Sequence, residues 1–339
     1  MRIVRADVSD LATTQACFDV VRAAGETDDP HGAPWSLRRM RAWLEHPSEP
    51  AETWTCGDET TGAIQGWYFL MLPERENRDR AYLHLTVHPA SRRRGIGTAL
   101  LGHAAERAAR GGRAVLGGAA FQGSAGAAFA ERFRAAPGLV EARRVLVLGK
   151  IPAGRVASLR EQAAHAATGY TLVSWQGRTP EEYLARCAEV HNAMADAPHD
   201  AGEEPWRMDV ARVREHDDMR QRQGRRIYSL AALHSASGEI AGLTEVEADQ
   251  DDPGWGYQLL TAVTRKHRGH RLGLLLKTAM LDWLAEAEPA LERILTGNAA
   301  VNRYMIAINE DLGYELLRPL GQSYELPVAR IAKAPPSGS

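Results

Sequence analysis

The sequence predicts a mixed α/β protein in which one strand-and-helix plan occurs twice, and three observations carry that reading. First, an apolar strand, a basic glycine-bearing loop and a helix start follow one another at two places. Tyr82–Val87 leads through Arg92-Arg93-Arg94-Gly95-Ile96-Gly97 to Thr98 and Leu100, and Gln258–Val263 leads through Arg268-Gly269-His270-Arg271-Leu272-Gly273 to Leu274–Met280. Second, Val87 and Val263 lie 176 residues apart (263 minus 87), the length of an ordinary domain. Third, 339 residues with 44% hydrophobic and 25% charged side chains supply material for two folded cores.

The elements follow in order. Arg2–Arg5 reads as a strand, and Asp7 to Asp10 as the start signal of a helix over Leu11–Ala24. Asp28 to Pro34 breaks that pattern before a second helix, Leu37–Leu44. Trp54–Cys56, Ile64–Leu72 and Ala81–Val87 run apolar or alternate as the strands of a meander. Beyond the first loop, Leu100, Leu101, Ala104, Ala105 and Ala108 recur on one helical face. Ala114–Leu116 is then a strand, Ala125–Arg134 a helix and Arg144–Leu148 a closing strand. The alanine-rich, charged stretch Gly154–Ala167 suits a linker helix.

The plan restarts with the strand Tyr170–Trp175 and the helix start Thr179-Pro180-Glu181-Glu182, with proline inside the first turn. Tyr228–Leu233 and Glu239–Glu247 are strands turned by Ser237-Gly238. After the second loop come a strand at Arg293–Thr296, a helix at Val301–Leu312 and a strand at Ser323–Leu326. The expected division is therefore a first domain over 1–152, a linker helix over 153–168, a second domain over 169–330 and a disordered tail over 331–339, with Ala334–Ser339 its clearest part.

A helix N-terminus presents unpaired N–H groups and the positive end of the helix dipole, which together suit a phosphate. Glycine lets the backbone approach that phosphate closely. A Rossmann site would want a third glycine where Leu100 stands, and a Walker loop would want Gly-Lys-Ser/Thr, which is absent. The pattern Val87-x-Pro89-x-x-Arg92-x-x-Gly95-x-Gly97 resembles the cofactor loop of the GCN5-related N-acetyltransferases, Arg/Gln-x-x-Gly-x-Gly/Ala. The second copy matches at Arg268 and Gly273 but carries Arg271 where the first has Gly95. The resemblance covers nearly the whole chain and implies two tandem folds, each a mostly antiparallel, splayed sheet with helices on both faces, an arrangement also seen in mycothiol synthase. It implies acetyl-coenzyme A as cofactor, its pyrophosphate held by Val87, Arg92, Arg93, Arg94, Gly95, Ile96, Gly97 and Thr98 in the first half. Val263, Arg268, Gly269, His270, Arg271, Leu272 and Gly273 would do the same in the second.

The resemblance also implies catalytic positions. A freed backbone N–H near Thr86–Val87 or Ala262–Val263 would face the thioester oxygen. Asn302 falls on the family's cofactor asparagine, and Asn298 reads equally as a second cofactor contact or a helix cap. Asn309 falls on the general-acid tyrosine, and asparagine can hydrogen-bond sulfur without giving up a proton; Tyr304 and Tyr324 are possible substitutes. Glu245 and Glu247 alternate with Val246 on one strand face, and Glu245 is the preferred general base. In the first half Ala130 occupies the tyrosine position and no cofactor asparagine follows, which places the working site in the second half. The acidic run Asp196, Asp200, Glu203, Glu204 and Asp209 would suit a cationic acceptor.

Composition narrows the partners. A formal net charge of −2 gives no reason to expect nucleic acid, and no apolar run has the length of a membrane span. Cys17, Cys56 and Cys187 are scattered, so neither a disulfide framework nor a metal knot is indicated. The residues Met1 to Arg5 read as a strand rather than a signal peptide, and a cytoplasmic monomer or homodimer is expected. The expected activity is acetyl transfer to a primary amine of a small molecule, such as an amino sugar or an aminoglycoside-like metabolite. A non-catalytic acyl-CoA sensor and a protein-lysine acetyltransferase are the alternatives.

Overall fold

The computed structural model describes residues 1–331, and the chain divides into two compact units. The expected tail lies outside the described residues except for Ile331. Unit 1 takes Met1–Glu141, the short segment Asp200–Glu204 and the chain from Arg318 onward; unit 2 takes Ala142–His199 and Pro205–Leu317.

Unit 1 opens with β1 (Arg2–Arg5), α1 (Leu11–Asp28), α2 (Leu37–Glu45), β2 (Ala51–Gly57), β3 (Ile64–Met71) and β4 (Arg80–Val87). Then come α3 (Ile96–Arg110), β5 (Val115–Phe121), α4 (Ala125–Arg132) and the first part of β6 (Ala136–Val147). The helix starts are local chemistry. Asp10 accepts from Thr13 N at 2.9 Å, Ser36 from Arg39 N at 3.0 Å and Ser124 from Ala127 N at 3.2 Å, each satisfying an orphan donor. Strand alternation then sorts β3: Trp67 and Phe69 join Cys17, Val20, Met40 and Leu44 under α1 and α2, while Tyr68 and Leu70 join Leu100, Ala104 and Ala108 under α3.

Unit 2 holds α5 (Arg155–Ala166), β7 (Tyr170–Gln176), α6 (Leu184–Asn192), α7 (Val210–Arg222), β8 (Arg226–His234), β9 (Ile240–Ala248) and β10 (Trp255–Val263). It continues with α8 (Leu272–Ala287), β11 (Arg293–Ala299), α9 (Arg303–Leu312) and β12 (Glu315–Leu316). The strands β7, β8, β9 and β10 are antiparallel neighbours, and β10 and β11 run parallel. Two differences from the sequence reading stand out here. The stretch expected to link the domains is α5, whose Leu159 and Ala163 are buried with α8 residues Leu275 and Leu276 in this unit's own core. The charged helix α7 was not expected at all, because its buried face includes Arg212, Asp217 and Arg220 beside Val213 and Met219.

The expected boundaries at 152 and 330 also differ from the observed ones. The chain returns to unit 1 with β13 (Gly321–Pro327) and α10 (Val328–Ile331). Strand β13 inserts antiparallel between β5 and the first part of β6, so Tyr324 belongs to unit 1. The second part of β6 pairs with β12 in unit 2, Glu315 opposite Val145. No local signal reveals such an exchange, because strand partners are chosen by long-range pairing. Deleting residues 318–339 is accordingly expected to unfold unit 1, leaving β5 and β6 without their shared neighbour. Calorimetry should then lose one of its transitions, whereas an unchanged melting profile would contradict the pairing.

Candidate active site

Both loops fold the same way although their residues differ. In unit 1, Arg93 and Gly95 take left-handed conformations with φ of 63° and 83°. In unit 2 the corresponding residues Gly269 and Arg271 do so with φ of 88° and 53°. The arginine that replaced a family glycine therefore occupies the glycine's own backbone state. Neither α3 nor α8 has a side-chain cap, and each begins on its left-handed residue. Among the described residues, the amides of 93–98 make no main-chain hydrogen bond, and Ala99 is the first to donate, to Gly95 O at 3.0 Å. In unit 2 the first is Leu274, to Arg271 O at 3.1 Å. Each helix thus opens as a row of unpaired N–H groups, a fit for pyrophosphate.

The leading arginines hold these bends in place. Arg92 Nε donates to Val87 O at 3.2 Å while its other nitrogens clasp Asp28 at 3.0 and 2.6 Å. Arg268 repeats the arrangement, Nε to Val263 O at 3.2 Å and Nη2 to Asp196 at 2.7 Å. Both guanidinium groups, expected on the cofactor, are therefore committed to bracing. His270 leans away too, its Nδ1 3.3 Å from Ala166 O. Arg93, Arg94 and Arg271 are exposed. A Cβ at Gly97 would come within 3.3 Å of Phe129, and one at Gly273 within 3.3 Å of Ile308. That shared contact sets Phe129 against Ile308, and so Ala130 against Asn309.

Beside each loop the sheet opens. β4 and β5 pair only from Arg80 opposite Val115 to Tyr82 opposite Gly117; β10 and β11 pair only from Trp255 opposite Arg293 to Tyr257 opposite Leu295. Beyond those points the strands part, leaving backbone groups that a ligand's amides can meet. In unit 2 the β10–β9 register also breaks between Gln258 and Leu260, so Leu259 has no partner on β9. The Gln258 amide stitches the bulge by donating to Glu245 O at 2.8 Å and Leu260 O at 2.9 Å. This irregularity falls earlier than the expected Ala262–Val263, which pair regularly with Leu243 and Gly242; Thr86 and Val87 are likewise regular, opposite Trp67 and Gly66.

Asn309 is fully buried, and its orientation is fixed by chemistry. Lys277, buried in α8, donates to Asn309 Oδ1 at 2.6 Å, because an ammonium only donates. The Asn309 amide nitrogen then donates to Asn298 Oδ1 at 2.9 Å. Burial pushes Lys277 down to about 7, and its nitrogen also lies 4.9 Å from the Tyr314 ring. Asn302 caps α9, accepting from Met305 N at 3.2 Å, so the capping role considered for Asn298 belongs to Asn302. Tyr304 is exposed on the first turn of α9, away from Asn309's buried end, and does not join this network as an acid.

The expected base does not fit its surroundings. Burial alone would raise Glu245, but Arg220, equally buried, outweighs it and holds the carboxylate down at about 2. Both oxygens are taken, at 2.9 Å each. Glu247 pairs with Arg225. The acidic run is committed as well. Asp196 holds Arg265 and Arg268, and Asp209 caps α7. Within unit 1, Asp200 accepts from Leu139 N at 2.6 Å, Glu203 from Tyr82 at 2.8 Å, and Glu204 exchanges bonds with Asn77. Sequence reasoning missed His191 on α6 and His216 on α7, both half-buried and both within the electrostatic reach of Glu245. Burial lowers both, His216 to about 3, so each imidazole is neutral near pH 7. Nothing in their spacing marks them; only the packing of α6 and α7 brings them together.

Comparison with known proteins agrees with this geometry. The acetyltransferase (GNAT) family profile matches residues 20–130. A tandem GNAT protein from the clavulanic acid biosynthesis pathway is 30% identical, with a TM-score of 0.81 over 96% of this chain and 98% of its own. A GCN5-related N-acetyltransferase from Sphaerobacter thermophilus shares the fold at 15% identity and a TM-score of 0.67, covering 96% and 95% of the two chains. No curated protein sequence matches significantly. The chain belongs to the GCN5-related N-acetyltransferase family. It is of the tandem type, with two such folds in one polypeptide, and the family is one of acyltransferases that generally use acetyl-CoA.

The Arg220–Glu245 pair gives a testable stability signature. Removing one partner strands a buried charge, so Glu245→Ala is expected to cost about 3–5 kcal/mol. Glu245 has a folded pKa of about 2 against an ordinary 4.5, so its contribution is complete above 4.5 and is lost as pH falls toward 2. The gap between the thermal melts of the two proteins should therefore hold from pH 7 to about 4.5 and narrow between 4.5 and 3. A constant gap between the two curves would contradict the assignment.

Proposed function

We propose that the protein is an acetyl-CoA-dependent N-acetyltransferase that acetylates a primary amine of a small molecule, with turnover in unit 2. One observation carries this reading: an uncapped helix start behind a left-handed bend stands beside a parted strand pair, and among the described residues only in unit 2 do a β-bulge on the loop strand and a buried asparagine network accompany it. Acetyl-CoA supplies a thioester whose acyl group an amine can take. The residues that would hold its pyrophosphate are the main-chain amides of Gly269 to Gly273. Leu259, left out of pairing with β9, is the backbone position suited to donate toward developing negative charge.

Asn309 would stabilise the departing sulfur by hydrogen bonding. Lys277 takes the Asn309 oxygen and Asn298 one amide hydrogen, which leaves the other amide hydrogen for the sulfur, and a lysine near 7 is in part a cation at physiological pH. With Glu245 engaged, the proton acceptor is assigned to the neutral imidazole of His191. The acceptor's class is supported by the similar tandem protein of clavulanic acid biosynthesis, a small-molecule pathway. A location in the cytoplasm belongs to the same reading; no helix among the described residues is long and apolar enough to cross a membrane.

Two experiments test this. Gly273→Asp should weaken acetyl-CoA binding in unit 2 at least tenfold by calorimetry. Gly273→Ala reports the cost of the Ile308 contact alone, and Gly97→Asp identifies the heat that belongs to unit 1. Equal affinities in all proteins would remove the loops from the site. Lys277→Met should lower kcat about tenfold in thiol release against an amine panel, with the KM for acetyl-CoA within about twofold. Wild-type kcat should carry a limb that declines as pH rises through about 7, where Lys277 loses its proton, and the variant should lack it. Binding without any thiol release from the wild type would favour a sensor, a reading that Ala130 and Asn309 at the two tyrosine positions already motivate.

A further inference from the structure

Away from the parted strands, unit 2 gathers three side chains that sequence spacing does not connect. His234 ends β8, Glu239 stands just before β9, and His267 ends the short 3-10 turn Arg265–His267, immediately before the loop arginine Arg268. One ligating atom of each lies within 4.8 Å of the other two.

The details point to a metal rather than to hydrogen bonding alone. His267 Nε2 stands 3.4 Å from Glu239 Oε2. That is long for a hydrogen bond between an imidazole and a carboxylate. It equals the edge, about 3.4 Å, of a tetrahedron whose corners lie about 2.0–2.1 Å from its centre, the bond lengths of zinc to nitrogen and oxygen. The His267 ring is buried, and its other nitrogen, Nδ1, is held by Tyr170 OH at 2.9 Å. An outer partner on the second ring nitrogen is how ligating histidines are oriented. Ser237 Oγ donates to Glu239 Oε2 at 3.0 Å and meets His234 Nδ1 at 2.9 Å. The serine proton is thereby used, so His234 Nδ1 carries the hydrogen and Nε2 keeps the lone pair. The His234 and His267 rings lie 5.0 Å apart. Lys266 takes the carboxylate's other oxygen, Oε1, and leaves Oε2 to face the imidazoles.

We propose that His234, Glu239 and His267 bind one divalent ion of the zinc class, with solvent completing its coordination, and that the ion pins the β8–β9 turn to the residue preceding the pyrophosphate loop. Two imidazoles and one carboxylate are the donor set such borderline ions prefer. The ion's role is structural: it fastens the residue that precedes Arg268, the arginine that braces the bend.

The test uses the full chain, stripped with a chelator and titrated with Zn2+ or Co2+ alone. One equivalent should bind, Co2+ should give the intense visible absorption of low coordination, and saturating Zn2+ should raise Tm by several degrees. His234→Ala removes a partly exposed ring and should fold normally, yet lose at least tenfold in affinity together with the Tm shift. Glu239→Gln should behave alike. Absence of stoichiometric binding would overturn the proposal, and so would binding undiminished in His234→Ala, which would place the ion on other histidines.

Discussion

Both units depend on one backbone constraint, a strand that must turn into a helix through two left-handed residues separated by one. The turn leaves the first amides of α3 and α8 unpaired, and a left-handed conformation costs an ordinary residue roughly 1–2 kcal/mol. Each unit meets that cost once. Unit 1 places glycine at the second left-handed position and arginine at the first; unit 2 does the reverse, with Gly269 and Arg271. The salt-bridged arginine at the base of each bend, Arg92 to Asp28 and Arg268 to Asp196, offsets the strain by tying the turn to its own strand end. A nest of free N–H groups survives only where the surrounding structure over-determines it, and here both units supply that support.

The same offset governs the packing behind the bends. Gly66 and Gly242 are also 176 residues apart (242 minus 66). A Cβ at either would lie about 3.0–3.1 Å from neighbouring atoms, including Leu100 and Leu276 on the helix that follows each bend. Glycine at these strand positions lets α3 and α8 sit close against the sheet, which fixes where their N-termini point. This repetition was not read from the sequence, because a lone glycine in a strand carries no signal of what approaches it.

What the sequence made legible was local chemistry. The helix starts at Asp10 and Leu37 and the apolar face Leu100 to Ala108 rest on contacts a few residues apart, and the structure reproduces them. What it hid was long-range choice. Strand β6 begins at Ala136 rather than near Arg144, because its first part is stabilised by β13, nearly two hundred residues later. The acidic residues were visible as charges, but their partners were not: Glu245 needed Arg220 on an unexpected helix, and Asp200, Glu203 and Glu204 joined unit 1 altogether. A carboxylate's role follows from what faces it, and that is tertiary information. The base position in particular could not be read from alternation along β9.

The two units also show why a depleted helix need not mean an equally depleted site. In unit 1 the residue beside the Gly97 contact is Ala130, with no polar atom to offer. In unit 2 the equivalent Asn309 is buried with Lys277 behind it and Asn298 before it. An uncompensated lysine in an apolar core is costly to keep, since burial penalises its charged form. Among the described residues its ammonium donates to Asn309 alone, so the cost is spent on one geometry, an amide held in a fixed orientation. A tyrosine at that position would supply its own donor and would need no such support. The lysine and the two asparagines thus form one buried hydrogen-bonded arrangement, and it exists in the half where the strand beside the bend carries the bulge.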